Sequence, residues 1–544
     1  MSQTVWPLNE NGEIVFSAGT GSSNVAGYLN QDVLPSGDVG VPVRLSAITN
    51  INVEDCRLNP SKIFETGTYA SFPEYTLNLS APIAVNNKQD VIISGVGNRK
   101  SIIRSSAPQI LSLTGSVKNL IISDVGFECT DTTTTDKDWS GLILSLNATL
   151  ENVFLIRPRF SVPGINTNAI KLIQESAKAN GVYIIDPIFE DIGRMGIEVQ
   201  NHVNDNVYRY EGVHIIRPKF KNIGIFSEGM GISMSGYGRR CTISDVYTEN
   251  CKYAAVEIVG MQDSLIDGVT CDDFSINAYA PLSISGLRPN KGLTIRRVHA
   301  LSTGSGRVLL ENLQESIVDD LRLTGQLNLT NSSDNEFGYV DVQANTLNPV
   351  YIENSARNKF NAKTRVKNTG ATNYALIRFY GSQAVDNIIS DAVFDPISSG
   401  TFVDNLNGAT KNRVHSKMVD GLPREGLAGE WFSVPTTSPL VKTVQVQTES
   451  TWRTRAFIVT VSGCENGGGN PSHGCWLIII RCITGATSQV QLVQPLFAAT
   501  NLTLAAAAVS ATSFSLTATA TTGAPVLHMC IQNAGGRHNP NLFY

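Results

Sequence analysis

Three glutamates hold the chemistry this sequence can most readily be read to carry. Glu198 in "GIEVQ" and Glu257 in "AVEIV" each interrupt a short apolar stretch, and Glu228 in "FSEGMGIS" precedes a glycine. If Ile197 and Val199 point into a core, strand alternation turns Glu198 and Gln200 to the other face. Two carboxylates on one face can share acid and base duties, one keeping its proton in a drier setting and the other staying ionised in a wetter one. Around them lie Arg194, His202, Asp205, Ser233, Tyr237 and Tyr253, side chains suited to gripping hydroxyls or carboxylates and to stacking on sugar rings.

An outward glutamate on a strand is ordinarily just solvated, so the reading depends on what positions these residues. The short stretches recur: "AIKLI" at 169, "GIEVQ" at 196, "GISMS" at 231, "AVEIV" at 255, "PLSIS" at 281 and "RVLLE" at 307. A second series, "NVFLIRPRF", "GVYIIDPIF" and "GVHIIRPKF", repeats a charged residue, Pro, a variable residue and Phe at 157, 186 and 217. A third places Asn335, Asn358, Asn387 and Asn412 at matching points. Strands this short and frequent, without tight hairpin turns between them, fit a parallel β-helix in which each coil lies about 4.8 Å from the next. Lys171, Glu198, Ser233, Glu257, Ser283 and Leu309 then form one outward column, with Ile197/Val199, Ile232/Met234 and Val256/Ile258 filling the interior. Glu198 and Glu257, two coils apart, have backbones separated by about 9.6 Å. Side-chain lean can bring that within the roughly 6.5–9.5 Å that an inverting glycosidase needs to admit a water. Glu228 comes third, at a corner from which it can swing over the column. Asp205 belongs to the longest polar loop, a candidate groove wall.

Composition agrees with a turn-rich β protein. Of 544 residues 16% are charged, and Gly, Ser, Thr and Asn are abundant. A formal charge of −5 offers no basic stripe for nucleic acid. Nine cysteines include no CxxC pair, so buried thiols are expected in place of disulfides or zinc, and neither metal nor cofactor is called for. The opening "MSQTVWPLNENGEIVF" has no secretory pattern and no apolar run reaches membrane-spanning length, which predicts a chain made in the cytoplasm without membrane insertion. Near residue 425, "GLPREGLAGEWFSVP" ends the repeat, and alternating strands such as "TVQVQT" and "WLIIIRC" follow. The division expected is an N-terminal attachment segment and cap (1–75), the β-helix (76–425) and a C-terminal antiparallel β-sandwich (430–544).

The irregular coil period, "VIISGVGN" near its start and the terminal sandwich together resemble bacteriophage tailspikes, capsular polysaccharide depolymerases of the pectate-lyase-like right-handed β-helix superfamily. The resemblance covers roughly residues 80 to 420. It implies a homotrimer on the virion, a C-terminal domain assisting trimer assembly, attachment to other phage tail or baseplate proteins through the N-terminus, and endo-cleavage of host capsule or O-antigen. "SGDVGVPVRLSAITNINVED" (36–55) departs from the Gly-Asp-Gly pattern with which many members begin their coils. Two-carboxylate glycoside hydrolysis leads. A lyase, with His202 or Tyr237 as base and Arg194 stabilising the anion, and a receptor-binding spike without catalysis remain open. An esterase is disfavoured for want of a GxSxG elbow.

Overall fold

The computed structural model describes residues 25–27, 43–45, 49–132, 136–201, 203, 207–272, 280–286, 288–300, 306–344, 347–368, 375–394, 403–407, 409, 411–418, 430–434, 440–445, 453–464, 472–483, 486–498, 502–510, 513–520 and 526–535. Strands dominate, and no α-helix occurs among the described residues. The chain divides into two compact units, residues 1–307 and 308–544.

The first unit is a parallel β-solenoid. Each coil contributes to three parallel sheets whose registers run through successive coils. Ile121, Phe154, Tyr183 and His214 stack in the first sheet, and Phe127, Phe160, Phe189 and Phe220 in the second. Lys171, Glu198, Ser233, Glu257 and Ser283 stack in the third. Leu120, Val153, Ile170, Val182 and their equivalents fill the lumen and are buried. Two short 3₁₀ turns, Val53–Cys56 and Pro60–Phe64, pack beside the first coils and bury Val53, Ile63 and Phe64. They stand where the sequence lacks the more usual opening pattern.

The charged-Pro-x-Phe repeat has a physical cause. Arg157, Asp186 and Arg217 adopt left-handed backbone conformations, with φ of 49°, 51° and 50°, and so turn the corner between the first and second sheets. Proline then sets an extended exit, and phenylalanine enters the lumen. With Asp124 and Asp245, also left-handed, the corner forms a column of alternating sign. Arg157 pairs with Asp124 at 2.7 Å and Arg217 with Asp186 at 2.6 Å. Inside, the four phenylalanine rings stack with centroids 5.1, 5.1 and 4.7 Å apart. Phe189→Ala should cost about 3–5 kcal/mol, because the neighbouring rings cannot close the gap. A denaturation midpoint that barely moves would contradict this.

The second unit holds further coils and the antiparallel region. Asn335, Asn358, Asn387 and Asn412 form the expected ladder, each Nδ2 donating to the next Oδ1 at 2.8, 2.9 and 2.8 Å. From Glu430 onward a five-stranded and a three-stranded antiparallel sheet share one core, including Val459, Trp476, Ile478, Phe514, Leu516 and Met529. That is a β-sandwich. "LAAAAVSA" is strand for most of its length, within Leu502–Ser510.

Among the described residues, six cysteines, including Cys241 and Cys271, are buried free thiols. Burial pushes each of these two up to about 12, which leaves them unreactive at neutral pH. No helix among the described residues is long and apolar enough to cross a membrane.

Candidate active site: a carboxylate column on the third sheet

Five strands of the third sheet carry the column: β1 (Asn166–Ile173), β2 (Ile197–Gln200), β3 (Met230–Arg239), β4 (Ala254–Gln262) and β5 (Ala280–Ser285). Ile197, Val199, Ile232, Met234, Val256 and Ile258 point inward and are fully buried. Alternation therefore turns Lys171, Glu198, Ser233, Glu257 and Ser283 away from the lumen, in the predicted order.

That face is drier than expected. Glu198 is only 1% exposed and sits in a knot of charges. Its Oε2 receives Lys171 Nζ at 2.8 Å, Arg194 Nη1 at 3.0 Å and Asn168 Nδ2 at 2.9 Å, while Gln200 donates to Oε1. Lys171 and Arg194 are themselves almost covered, with side chains 3% and 9% exposed. A buried carboxylate with two cations and two amides on it is fully engaged.

Arg194 reaches this position because its corner is tight. A Cβ on Gly193 would meet the Ile165 carbonyl at 1.7 Å, and one on Gly196 the Phe220 ring at 2.4 Å. Glycine on both sides draws the corner in and aims Arg194 along the column. Its second nitrogen, Nη2, pairs with Glu228, whose side chain is half exposed. Arg194 is thus the link between the buried Glu198 and the open Glu228.

Glu257 stands one coil beyond Ser233 and is partly buried. Ser233 Oγ donates to its Oε2 at 2.7 Å. Burial pushes the Glu257 carboxyl above its ordinary value, and the negative charges of Glu198 and Glu228 push it further, against the Ser233 hydrogen bond. Burial is the largest cause, and the surrounding charges act in the same direction. Lys171 and Arg194 balance Glu198 and Glu228, so a charged Glu257 would add an unmatched negative, and a protonated one adds none.

Beside the Glu228 corner the surface is apolar and aromatic. Ile225, Phe226 and Tyr253 are 45%, 41% and 41% exposed. Phe226 N donates to the Gly193 carbonyl at 3.0 Å and Tyr253 N to Gly229 at 2.9 Å, so both flank the corner that carries Arg194 and Glu228. The structure thereby brings together Glu198, Glu257, Glu228, Arg194, Ser233 and Tyr253. Tyr237 lies further along β3, under the Arg288 guanidinium at 4.8 Å. His202 and Asp205 lie outside the described residues. Glu190, at a corner of the second sheet, is held by Arg159 at 2.8 Å and Arg99 at 2.6 Å. Burial alone would raise its carboxyl, but the two arginines hold it below the ordinary value. Sequence reasoning missed Asn168 and Gln200, and passed over Lys171 as an ion-pair partner although the alignment places it directly beside Glu198.

The fold and this face define a parallel β-solenoid with a titratable column on one outer sheet. No family model and no curated protein matches the chain. Among solved structures it is similar to the tailspike protein of Acinetobacter phage vB_ApiP_P1, at 10% identity over 86% of this chain and 81% of that one, with a TM-score of 0.31. It is also similar to tailspike gp49 of Acinetobacter baumannii bacteriophage Fri1, described as a capsular polysaccharide depolymerase. There the identity is 9%, covering 92% of this chain and 88% of that one, with a TM-score of 0.26. A third likeness is to the periplasmic alginate epimerase AlgG, with 11% identity, 70% and 85% coverage and a TM-score of 0.37.

Proposed function

We propose that this chain is a polysaccharide-cleaving spike that hydrolyses glycosidic bonds in bacterial capsule or O-antigen, with Glu257 as general acid. The raised Glu257 carboxyl, clamped by Ser233 beside an Arg194-bridged Glu228, carries the reading. An acid that holds its proton more tightly than usual, next to a carboxylate paired with an arginine, suits the division of labour glycoside hydrolysis requires.

Burial reassigns one role. Glu198, expected from sequence to meet the substrate, is enclosed by Lys171 and Arg194, and we place it as a positioning residue. It anchors Arg194, and Arg194 holds Glu228. Glu228, exposed at the corner and paired with Arg194, takes the part of the carboxylate that activates water. Phe226 and Tyr253 supply rings for stacking on sugar. The test is incubation of the purified protein with capsular polysaccharide from a panel of bacterial hosts. Viscosity should fall and reducing ends should appear without the ultraviolet-absorbing double bond of a lyase product. A double bond would replace hydrolysis by elimination. Undiminished viscosity on every capsule that is bound would leave a non-catalytic receptor-binding spike.

The same reading includes a homotrimer on the virion, attached to other tail or baseplate proteins through the N-terminal segment. One feature of the sandwich supports self-association. Strand β6 (Ala486–Ala498) lies at the edge of the five-stranded sheet and β7 (Leu502–Ser510) at the edge of the three-stranded sheet. From Cys482 to Gly536 the sequence contains no Asp, Glu, Lys or Arg, and Leu492, Leu496 and Val509 are exposed. Edges of monomeric sheets are normally guarded by charge. Light scattering should report a trimer, and Leu492→Asp with Leu496→Asp should yield smaller species. A wild-type monomer would contradict the assembly.

A further inference from the structure

Beyond the carboxylate column, β3 and β4 continue into a cluster of arginines and tyrosines. Arg239 Nη2 donates to Glu211 Oε2 at 3.2 Å, and its Nε lies 3.2 Å from Oε1 without a hydrogen bond. Arg240 Nη1 reaches the same Oε1 at 3.2 Å, yet its side chain is 69% exposed. Two guanidiniums therefore converge on one carboxylate, and most of the five donors of Arg240 face outward. The Arg239 guanidinium also lies 4.6 Å over the Tyr208 ring, while Tyr208 meets Tyr237 edge to face at 5.7 Å. Tyr208 Oη donates to Gln262 Oε1 at 2.6 Å, and Arg288 covers Tyr237 and donates to the Val203 carbonyl at 2.5 Å. Both rings are pinned before any ligand arrives, which lowers the ordering cost of binding.

The coil register explains how the cluster arises. Glu211, Arg239, Gln262 and Lys291 occupy one position in four successive coils. Earlier in the same column Lys118 and Glu151 neutralise each other at 2.8 Å. At Arg239 the pattern shifts to cations, with Arg240 added at the corner. A neutral Gln262 and a cationic Lys291 follow in that column, with Asp263 at the corner that follows Arg240. A planar guanidinium pair already arranged around one carboxylate matches a second one brought by a ligand, and the half-buried tyrosines beside it suit a sugar ring.

We propose that Arg239 and Arg240, with Tyr208 and Tyr237, form a subsite for a carboxylate-bearing sugar, so that the polysaccharide recognised is acidic. The inference rests on the polysaccharide reading above and names its substrate class. Ser233 and Arg239 are joined by at most about 20 Å of strand, which turns at Gly236 (φ 100°) on the way. A glycan chain several sugars long can occupy both, with the acidic residue held at a distance from the bond under attack.

The test uses the full-length chain carrying Glu257→Gln to prevent turnover. Calorimetry compares hexagalacturonate and a sialic acid hexamer with maltohexaose, at low and high salt. At least one acidic hexamer is expected to bind about tenfold or more tighter than maltohexaose, with the preference shrinking in salt. Arg240→Gln, at an exposed position that leaves folding intact, should remove a large part of that preference, and Arg239→Gln with Arg240→Gln nearly all of it. Acidic preference that persists in the double variant overturns the assignment. So does equal binding of neutral and acidic hexamers, which leaves the polysaccharide reading standing. Binding of no glycan, whether these hexamers or the host capsules, overturns both.

Discussion

Glu257→Gln is expected to lower the depolymerisation rate by at least about 10²-fold while the protein remains folded, because it deletes the proton that the leaving oxygen requires. The substitution keeps shape and the Ser233 contact, so folding is not the quantity lost. The pH dependence follows from the same cause. With Glu257 as the proposed acid, the rate should fall as pH rises through the raised carboxyl value. In Glu257→Gln that alkaline limb should vanish with the activity. Stability moves in a linked way. The folded chain holds this proton more tightly than the unfolded chain does. The group's contribution is thus complete below the ordinary carboxyl value and is lost as pH climbs through the folded one. Glu257→Gln should therefore be no less stable than wild type at neutral pH, and its stability should vary less with pH. Full activity in this variant would remove Glu257 from the mechanism.

Glu198→Gln should fail differently. It leaves Lys171 and Arg194 facing each other, almost covered, with their shared counter-charge gone. Removing one partner from such a buried set costs about 3–5 kcal/mol. The denaturation midpoint should drop accordingly, and activity should fall with it as Arg194 loses the anchor that aims it at Glu228. A second substitution separates charge from packing. Lys171→Met in the same chain removes the surplus cation and should recover a good part of the stability. If Glu198→Gln lowers activity while the midpoint stays put, Glu198 acts on substrate directly, and the role given to it here is wrong. The two variants thus give opposite signatures, one losing chemistry alone and the other losing the scaffold first.

Much of this architecture can be read from the chain because solenoids convert spacing into adjacency. "AIKLI", "GIEVQ", "GISMS" and "AVEIV" could be aligned by eye, and the aligned positions are vertical neighbours in the third sheet. The phenylalanine and asparagine ladders were legible for the same reason. Spacing along one strand does not say how deep an outward face lies. Glu198 and Glu257 read as equals in sequence, yet one is enclosed and the other opens to solvent, since depth depends on how corners such as Gly193–Gly196 fold over the sheet. The cost of burial explains the companions. A lysine in register with a glutamate on a sheet face that proves covered is that glutamate's counter-ion, and Lys171 offered the signal. The outer side of the first sheet shows the same limit. Phe154, Tyr183 and His214 stack there with centroids 4.6 and 4.7 Å apart, and alternation alone does not mark that face as covered.

The corner column Asp124, Arg157, Asp186, Arg217, Asp245 constrains how such a protein can change in length. Excising a single turn sets two like charges against each other at that corner, whereas excising two restores opposite neighbours. Each contact is partly exposed and worth at most about 1 kcal/mol, so the bias is mild, but it recurs at every generation in which the chain is shortened or duplicated. Descendants of this stretch should differ from one another by even numbers of turns, a parity that neither the lumen nor the hydrogen-bonded sheets would impose.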